Sequence, residues 1–214
     1  RGDPNRRARG RAPDSGAVEA FAFEPTISFA STSEDEVTSS GLVVAANSAD
    51  GGLTTHFQIT FILGGTLYQA DGVTEISNGD FITLAEGLAG LKFAPDPDTN
   101  NFNTPTGFGF TVQAAVSDQL ADLRGSTLNT VIRVDSIADL PGVTNASTIV
   151  DVQTTSGLVL TLNPVDDADV TVFQITNIQS GTLYQTDGTT QINDGDFITI
   201  AQGNAGLRFT PASG

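Results

Sequence analysis

The chain contains a tandem repeat with one constant spacing. The segment from Phe57 to Pro95 reads FQITFILGGTLYQADGVTEISNGDFITLAEGLAGLKFAP. It returns without a gap from Phe173 to Pro211 as FQITNIQSGTLYQTDGTTQINDGDFITIAQGNAGLRFTP, and the spacing is 173 − 57 = 116 residues. The same spacing continues upstream, since Pro25 returns as Pro141. A repeat of this kind means that one structural unit is used more than once, so both segments must fit the same fold.

The repeat predicts three parts. Residues 1–24 precede it, residues 25–140 form a complete unit, and residues 141–214 form a second unit that we expect to be incomplete. The second unit has no counterparts of Thr99–Leu140 in the sequence. Residues 1–14 carry five arginines and two aspartates, in a chain whose net charge is −16. This basic arm is either a solvated tail or a segment that binds the acidic surface of a neighbouring copy.

Short alternating segments predict strands in both units, and no window has helical period and caps. In the first unit the predicted strands are Leu42–Ala46, Thr54–Ile62, Gly65–Gln69, Thr74–Ser77, Phe81–Ala85, Gly90–Ala94, Phe108–Val116 and Thr127–Val134. The dipeptide Asp71-Gly72 predicts a type I′ hairpin turn, and Asn78-Gly79 predicts a second turn of the same chemistry. Many short strands between frequent turns indicate an all-β sandwich.

The repeated apolar residues predict the core of each unit. A shared set of aliphatic and phenylalanine side chains would give both cores a similar volume. We expect these side chains, including Phe81 and Phe197, to be buried: Leu67, Ile76, Phe81, Ile82, Leu91 and Phe93, with their counterparts Leu183, Ile192, Phe197, Ile198, Leu207 and Phe209.

A longer pattern in the repeat resembles a known family. The string GTLYQxDGxTxIxxGDFITxAxGxAGLxFxP is preceded by STxxDxxTxSGLV, and the linker reads VDSIADLP. This pattern resembles the cadherin-like repeats of giant bacterial surface proteins and RTX-type adhesins, over about residues 24–214. The resemblance implies tandem Ig-like or cadherin-like β-sandwiches, joined head to tail in secreted rods at the cell surface or in the extracellular space.

The same resemblance implies a Ca²⁺ site, because cadherin-like arrays are commonly stiffened by Ca²⁺ at their joints. Ca²⁺ takes about 6–8 oxygen ligands, which at a joint come from separate segments. The acidic residues near the linker and its opposing loops are the candidate ligands: Glu34, Asp35, Asp50, Asp135, Asp139 and Asp166. The alternative is a solvated acidic surface that keeps the protein soluble.

Composition and the repeat exclude several function classes. The pI of about 4.1 disfavours nucleic acid, which needs a basic face. No apolar run approaches the roughly 20 residues that span a bilayer. We expect no enzymatic activity, because His56 is the only histidine and Val172 replaces it in the second unit.

Two functions then remain. The first is a structural module of a secreted adhesin or extracellular filament. The alternative is a carbohydrate-binding accessory module, or one that binds another cell-surface ligand. Sugar sites usually present aromatic platforms, whereas this chain has no tryptophan and two tyrosines, Tyr68 and Tyr184. The sequence therefore favours the structural module over the carbohydrate-binding module.

The incomplete second unit also predicts a partner. Without the counterparts of Phe108–Val116 and Thr127–Val134, it would expose an apolar face and unpaired strand edges. Either the chain continues in a longer repeat array, or a second copy fills the gap by self-association. In the latter case the donor strand would be Ala17–Phe23, and a head-to-tail polymer would form.

Overall fold

The computed structural model describes residues 23–166, 168 and 170–213. Within this part of the chain, strands predominate over two short α-helices, so the predicted all-β fold is confirmed. In the first unit the elements are β1 (Thr26–Ile27), β2 (Ala30–Ser33), β3 (Val44–Ala45), β4 (His56–Leu63), β5 (Gly65–Tyr68), β6 (Glu75–Ile76), β7 (Phe81–Thr83), α1 (Leu84–Ala89), β8 (Lys92–Pro95), β9 (Gly109–Ala115), β10 (Leu123–Asn129) and β11 (Ile132–Asp135).

Several small sheets enclose the core of the first unit. One has four strands in the order β10-β9-β4-β7, and another has three in the order β6-β5-β8. Strand β1 pairs with β3, and β11 pairs in parallel with β2. Apolar side chains from these sheets form one buried cluster, in which Phe57, Ile59, Leu67, Phe93 and Val112 are fully inaccessible to solvent. The arrangement is sandwich-like, with the core between the sheets.

The second unit repeats only part of this arrangement. Its elements are β12 (Gly142–Val143), β13 (Leu160–Thr161), β14 (Val172–Gln174), β15 (Gly181–Tyr184), β16 (Gln191–Ile192), β17 (Phe197–Thr199), α2 (Ile200–Asn204) and β18 (Arg208–Pro211). Its core is a separate, smaller cluster. Among the described residues of this unit, no strand takes the places of β9, β10 and β11. The boundaries at residues 25 and 141 stay predictions, and residues 1–22 lie outside the described part.

The two helices contradict the prediction that both units lack helix. Helix α1 begins after Thr83, whose hydroxyl accepts the Glu86 N–H at 3.2 Å, and the Glu86 carboxylate accepts the Thr83 N–H at 2.6 Å. Thr199 and Gln202 form the same capping box in front of α2. Such a box satisfies two amide groups that the first turn of a helix leaves without partners. The strand predicted over Phe81–Ala85 therefore ends at residue 83.

Phe81 and Phe197 do not belong to the core, so their predicted burial was wrong. Phe81 is half-buried, and Phe197 is 65% exposed. Strand β7 pairs with β4 so that Ile82 lies opposite Phe57, and these two side chains are buried. Because side chains alternate between the two faces of a strand, Phe81 points to the opposite face.

The hairpin turn at Asp71-Gly72 is also not of type I′. Only Gly72 has positive φ, at 70°, whereas type I′ needs positive φ at both central residues. Instead, the Gly72 N–H donates to the Gln69 carbonyl at 2.9 Å, and the Gln69 N–H donates to the Thr74 carbonyl at 2.8 Å. The loop is held by Asp71, whose Oδ1 accepts the N–H groups of Val73 and Thr74. Asn78-Gly79 likewise has positive φ only at its glycine.

The remaining strand predictions need one further correction. The segment predicted as a single strand over Thr127–Val134 divides into the end of β10 and the whole of β11. These two strands belong to different sheets, since β10 pairs with β9 and β11 pairs with β2. The chain changes sheets between Asn129 and Ile132, where the Thr130 N–H donates to the Phe110 carbonyl.

Candidate functional site at the joint and the open groove

A buried carboxylate fixes the linker between the two units. Glu34 follows β2 and is 5% exposed. Its Oε1 accepts the Ile137 N–H at 2.6 Å, and its Oε2 accepts the Asn100 side-chain amide at 2.9 Å. The Glu34 N–H in turn donates to the Asp135 carbonyl at 2.9 Å. Glu34 thus holds both the end of β11 and the start of the linker against the first unit.

A second carboxylate holds the other end of the linker, where the chain enters the second unit. Asp166 Oδ1 accepts the Asp139 N–H at 2.7 Å, and its Oδ2 accepts the Asn163 N–H at 3.1 Å. The Asn163 amide then donates to the Leu140 carbonyl at 3.5 Å. We call this pair, Asn163 with Asp166, the clasp, because both side chains bind the chain where it enters the second unit.

The first unit contains the same clasp, 116 residues earlier. Asp50 is 2% exposed, and its Oδ1 accepts the Phe23 N–H at 2.6 Å. The Asn47 amide donates to the Glu24 carbonyl at 3.2 Å. Phe23 and Glu24 are the counterparts of Asp139 and Leu140 at the repeat spacing. Each unit therefore receives the chain that enters it through the same pair of side chains.

Negative charge accumulates around the linker, residues 135–141, which with the loops that contact it forms the joint between the units. The pKa of the Asp139 carboxyl is raised, first by desolvation and then by four nearby carboxylates, which belong to Asp166, Asp98, Asp35 and Glu34. Asp35 lies in the turn after β2, and its Oδ1 accepts the Asp98 N–H at 3.0 Å. The joint thus brings together acidic residues from four separate segments of the chain.

The six predicted Ca²⁺ ligands separate into two groups. Four of them lie at the joint: Glu34, Asp35, Asp139 and Asp166. Asp50 belongs to the clasp at the start of the first unit, and Asp135 forms an ion pair with Arg133 Nε at 2.6 Å. In the part of the chain that is described, no group of three or more acidic or histidine side chains is arranged to hold a metal ion.

An open apolar groove of about 490 Å³ runs along the second unit. Its apolar lining includes Ala146, Leu158, Ile175, Leu183 and Phe209. All five side chains are only partly buried. Their counterparts in the first unit are at most 3% exposed: Ala30, Leu42, Ile59, Leu67 and Phe93. The groove is therefore a surface that the first unit covers and that the described residues of the second unit leave open.

Strands β9 and β11 cover this surface in the first unit. Phe108, next to β9, stands edge-on to Phe93 with ring centroids 6.3 Å apart. Ile132 and Val134 of β11 are fully buried in the same cluster. Ile132 and Val134 thus place a row of apolar side chains on the face of β11 that contacts this surface.

One edge of the groove lacks strand pairing among the described residues. Residues 146–149 correspond to β2, yet they pair with no described strand. The adjoining side chains of Ile149 and Val150 are 73% and 59% exposed. Exposed apolar residues beside a backbone segment that pairs with no described strand form a template to which another strand can add.

Other residues considered in the sequence have local roles. His56 is half-buried on β4, and its Nδ1 lies 2.8 Å from the Thr55 hydroxyl. Tyr68 and Tyr184 end β5 and β15, and both are half-buried.

The sequence did not predict the roles of Asn47 and Asn100 or the side chains that line the groove. A usable signal existed for the clasp, because Asn47 recurs as Asn163 together with its aspartate.

Comparison of the chain with family models, with curated proteins and with solved structures finds no match. A search of the described helices finds none long and apolar enough to cross a membrane.

Proposed function

We propose that this chain is a structural module of a secreted adhesin or extracellular filament, located outside the cell or at its surface. Its tandem units provide length, and the groove of the second unit provides self-association. The observation that carries this proposal is the difference between the units at one surface. The first unit covers that surface with its own strands, whereas the second presents it with an unpaired edge.

The physical argument is the cost of leaving that surface open. Soluble proteins rarely expose a contiguous apolar surface beside an unpaired strand edge, because both favour addition of another strand. That strand belongs either to residues that follow the second unit in a longer repeat array or to a second copy, and we propose the second copy. A strand that adds there pairs with the backbone of residues 146–149 and buries the lining of the groove. Such a contact joins two different surfaces, so repeated contacts extend in one direction and build a filament.

Sedimentation velocity over a range of concentrations tests the proposed function. We expect mass to increase with concentration and the particles to become longer at constant width in negative-stain images. A chain that stays monomeric up to the highest soluble concentration, with its second unit folded, would contradict self-association.

Ca²⁺ is a further part of this proposal. The joint offers carboxylate oxygens, which are the donors that Ca²⁺ prefers, and Glu34, Asp35, Asp139 and Asp166 would hold it. If so, removing Ca²⁺ with EGTA should loosen the angle between the units while each core stays folded. Small-angle scattering of a variant that does not self-associate measures this as a change in maximum dimension. An identical profile with and without EGTA would contradict a Ca²⁺ role at the joint.

A further inference from the structure

The first unit shows what fills the surface that the described residues of the second unit leave open. Strand β11 lies parallel to β2, with Ile132 opposite Ala30 and Val134 opposite Thr32. Ile132 and Val134 are buried, whereas the alternate residues Arg133 and Asp135 are exposed. The strand therefore presents one apolar face to the core and one charged face to solvent.

The repeat spacing identifies a second segment with the place of β11. Subtracting 116 from residues 132–135 gives Gly16, Ala17, Val18 and Glu19. Val18 takes the position of buried Val134, and Glu19 takes the position of exposed Asp135. Gly16 stands where Ile132 is buried, so Val18 is the apolar anchor of this segment. The residues that follow correspond to the linker, since Phe23 is the counterpart of Asp139.

The turn beside the groove differs from its counterpart in the first unit. There, the Glu34 carboxylate accepts the backbone N–H of Ile137. Exposed Val150 replaces Glu34 in the second unit and offers no acceptor, and Phe21 takes the position of apolar Ile137 in the segment. Packing of the Phe21 and Val150 side chains against each other would remove apolar surface from water.

Charge favours the same pairing. The second unit, residues 141–214, contains seven aspartates, one arginine and no glutamate or lysine, so its net charge is −6. Residues 1–14, which precede the segment, contain five arginines and two aspartates, so their net charge is +3. Attraction between opposite net charges speeds the encounter of two surfaces, and this attraction weakens as salt is added.

The clasp in front of the first unit favours a second copy as the donor. Asp50 holds Phe23 where the chain enters the first unit, as Asp166 holds Asp139 where it enters the second. Within one chain, β11 fills the first unit and its linker leads into the clasp of the second. A segment that fills the second unit of one copy, and then leads into the clasp of the next copy's first unit, repeats that connection between molecules.

We propose that the groove of the second unit binds residues 16–22 of a second copy, as a strand parallel to residues 146–149. Val18 occupies the place that Val134 occupies in the first unit. This inference rests on the self-association proposed above and names its donor segment.

Two matched variants of the full chain test it. Val18→Asp puts a charge at the buried position, and Ala17→Asp adds the same charge at the neighbouring position, whose counterpart Arg133 is exposed. In sedimentation velocity we expect V18D to weaken association at least tenfold and A17D to stay within about threefold of the unchanged chain. Equal effects of the two variants would overturn the alternating register.

A labelled peptide of residues 14–24 provides a second measurement on the V18D chain, whose groove is intact. We expect it to bind, and to slow amide hydrogen exchange at residues 146–149. The same peptide with Val18→Asp should bind at least tenfold more weakly. Failure of the unchanged peptide to bind would overturn the proposal.

The outcomes separate this inference from the proposed function. A chain that forms filaments equally well as V18D self-associates through another segment, so the donor proposed here is wrong while the structural function stands. A chain that never associates, and whose groove does not bind the peptide, contradicts both.

Discussion

The two units share most of their sequence from Phe57 to Pro95 and from Phe173 to Pro211, but they differ in burial. Leu67 and Phe93 are inaccessible to solvent, whereas Leu183 and Phe209 at the same positions are half-buried. The difference does not come from these residues. It comes from β9 to β11, which the first unit obtains from outside the repeated segment. The segment thus specifies local structure but only part of a core.

Features that depend on neighbours in sequence are the same in both units. Both helices begin with a capping box, and both hairpins use an aspartate that accepts two backbone N–H groups and a threonine hydroxyl. These contacts span at most three residues, so missing long-range strands do not affect them. Comparing equivalent substitutions in the two units therefore separates local from long-range contributions.

The largest expected effect is truncation of the equivalent phenylalanines. Phe93→Ala should lower the unfolding free energy of the first unit by about 3–5 kcal/mol, because a fully buried ring leaves a cavity. Phe209→Ala should cost the second unit less than half as much, since its ring is already partly exposed. Tyrosine fluorescence in denaturant measures each unit separately, since Tyr184→Phe leaves only Tyr68 as reporter and Tyr68→Phe leaves only Tyr184.

Equal losses in the two units would contradict this difference and would mean that the second core is as well covered as the first. Measuring the unfolding free energy of Phe209→Ala at low and at high protein concentration tests whether a second copy covers the ring. If a second copy covers the groove, the cost of the truncation should rise with concentration.

An intermediate effect is expected at the turn after β2. Glu34→Val installs the residue found in the second unit and removes the acceptor of the Ile137 N–H. We expect a loss of about 1–3 kcal/mol in the stability of the first unit, the usual cost of removing a buried hydrogen-bond partner. The reverse change, Val150→Glu, should alter the second unit by less than about 0.5 kcal/mol, because position 150 is exposed.

Glu34→Gln is the matched control, since it keeps the shape of the side chain and one acceptor oxygen. It should fall between wild type and Glu34→Val in the same fluorescence titration. If Glu34→Val leaves the first unit unchanged, the carboxylate does not hold the linker in solution.

The smallest effect is expected from the hairpin aspartates at low pH. The Thr190 hydroxyl, followed by the N–H groups of Thr190 and Thr189, lowers the pKa of Asp187 to about 2 from 3.8. The equivalent contacts lower the pKa of Asp71. Because the folded state favours the charged form, this stabilisation is complete above about pH 3.8 and is lost as the pH falls through about 2.

Asp187→Asn should therefore flatten the stability of the second unit in that window while leaving the first unit unchanged. Asp71→Asn should flatten the stability of the first unit in the same window while leaving the second unit unchanged. Thermal unfolding at several pH values, in the same single-tyrosine backgrounds, measures both. A profile that keeps its slope in Asp187→Asn would show that other carboxylates control acid unfolding.

The sequence predicted the all-β fold and most of the core, because alternation and the repeat report directly on strands and burial. It failed at Phe81 and Phe197, since both faces of β7 carry apolar residues and only its pairing with β4 decides which face is buried. The helices were missed although Thr83-Leu-Ala-Glu86 and Thr199-Ile-Ala-Gln202 spell out capping boxes. Strand-like residues before each box obscured that signal.

The candidate site was predicted less completely. Acidic residues near the linker were identified, but their hydrogen bonds depend on contacts over long sequence distances. Glu34 reaches Ile137 across 103 residues, and no local pattern reports such a contact. The sequence predicted that the second unit lacks strands that the first unit has. The side chains that line the groove could be identified only by comparison with the structure of the first unit.

The parallel pairing of β2 with β11 has a mechanical consequence. The chain enters the first unit at the clasp, passes through β1 into β2, and leaves the unit just after β11, and β2 and β11 run in the same direction. Tension along the chain would therefore pull β2 backward and β11 forward along their common axis. The hydrogen bonds between them would resist together in shear instead of opening one after another. Because forced unfolding is governed by the rate of the rupturing step, this strand pair would set how long the unit survives under load.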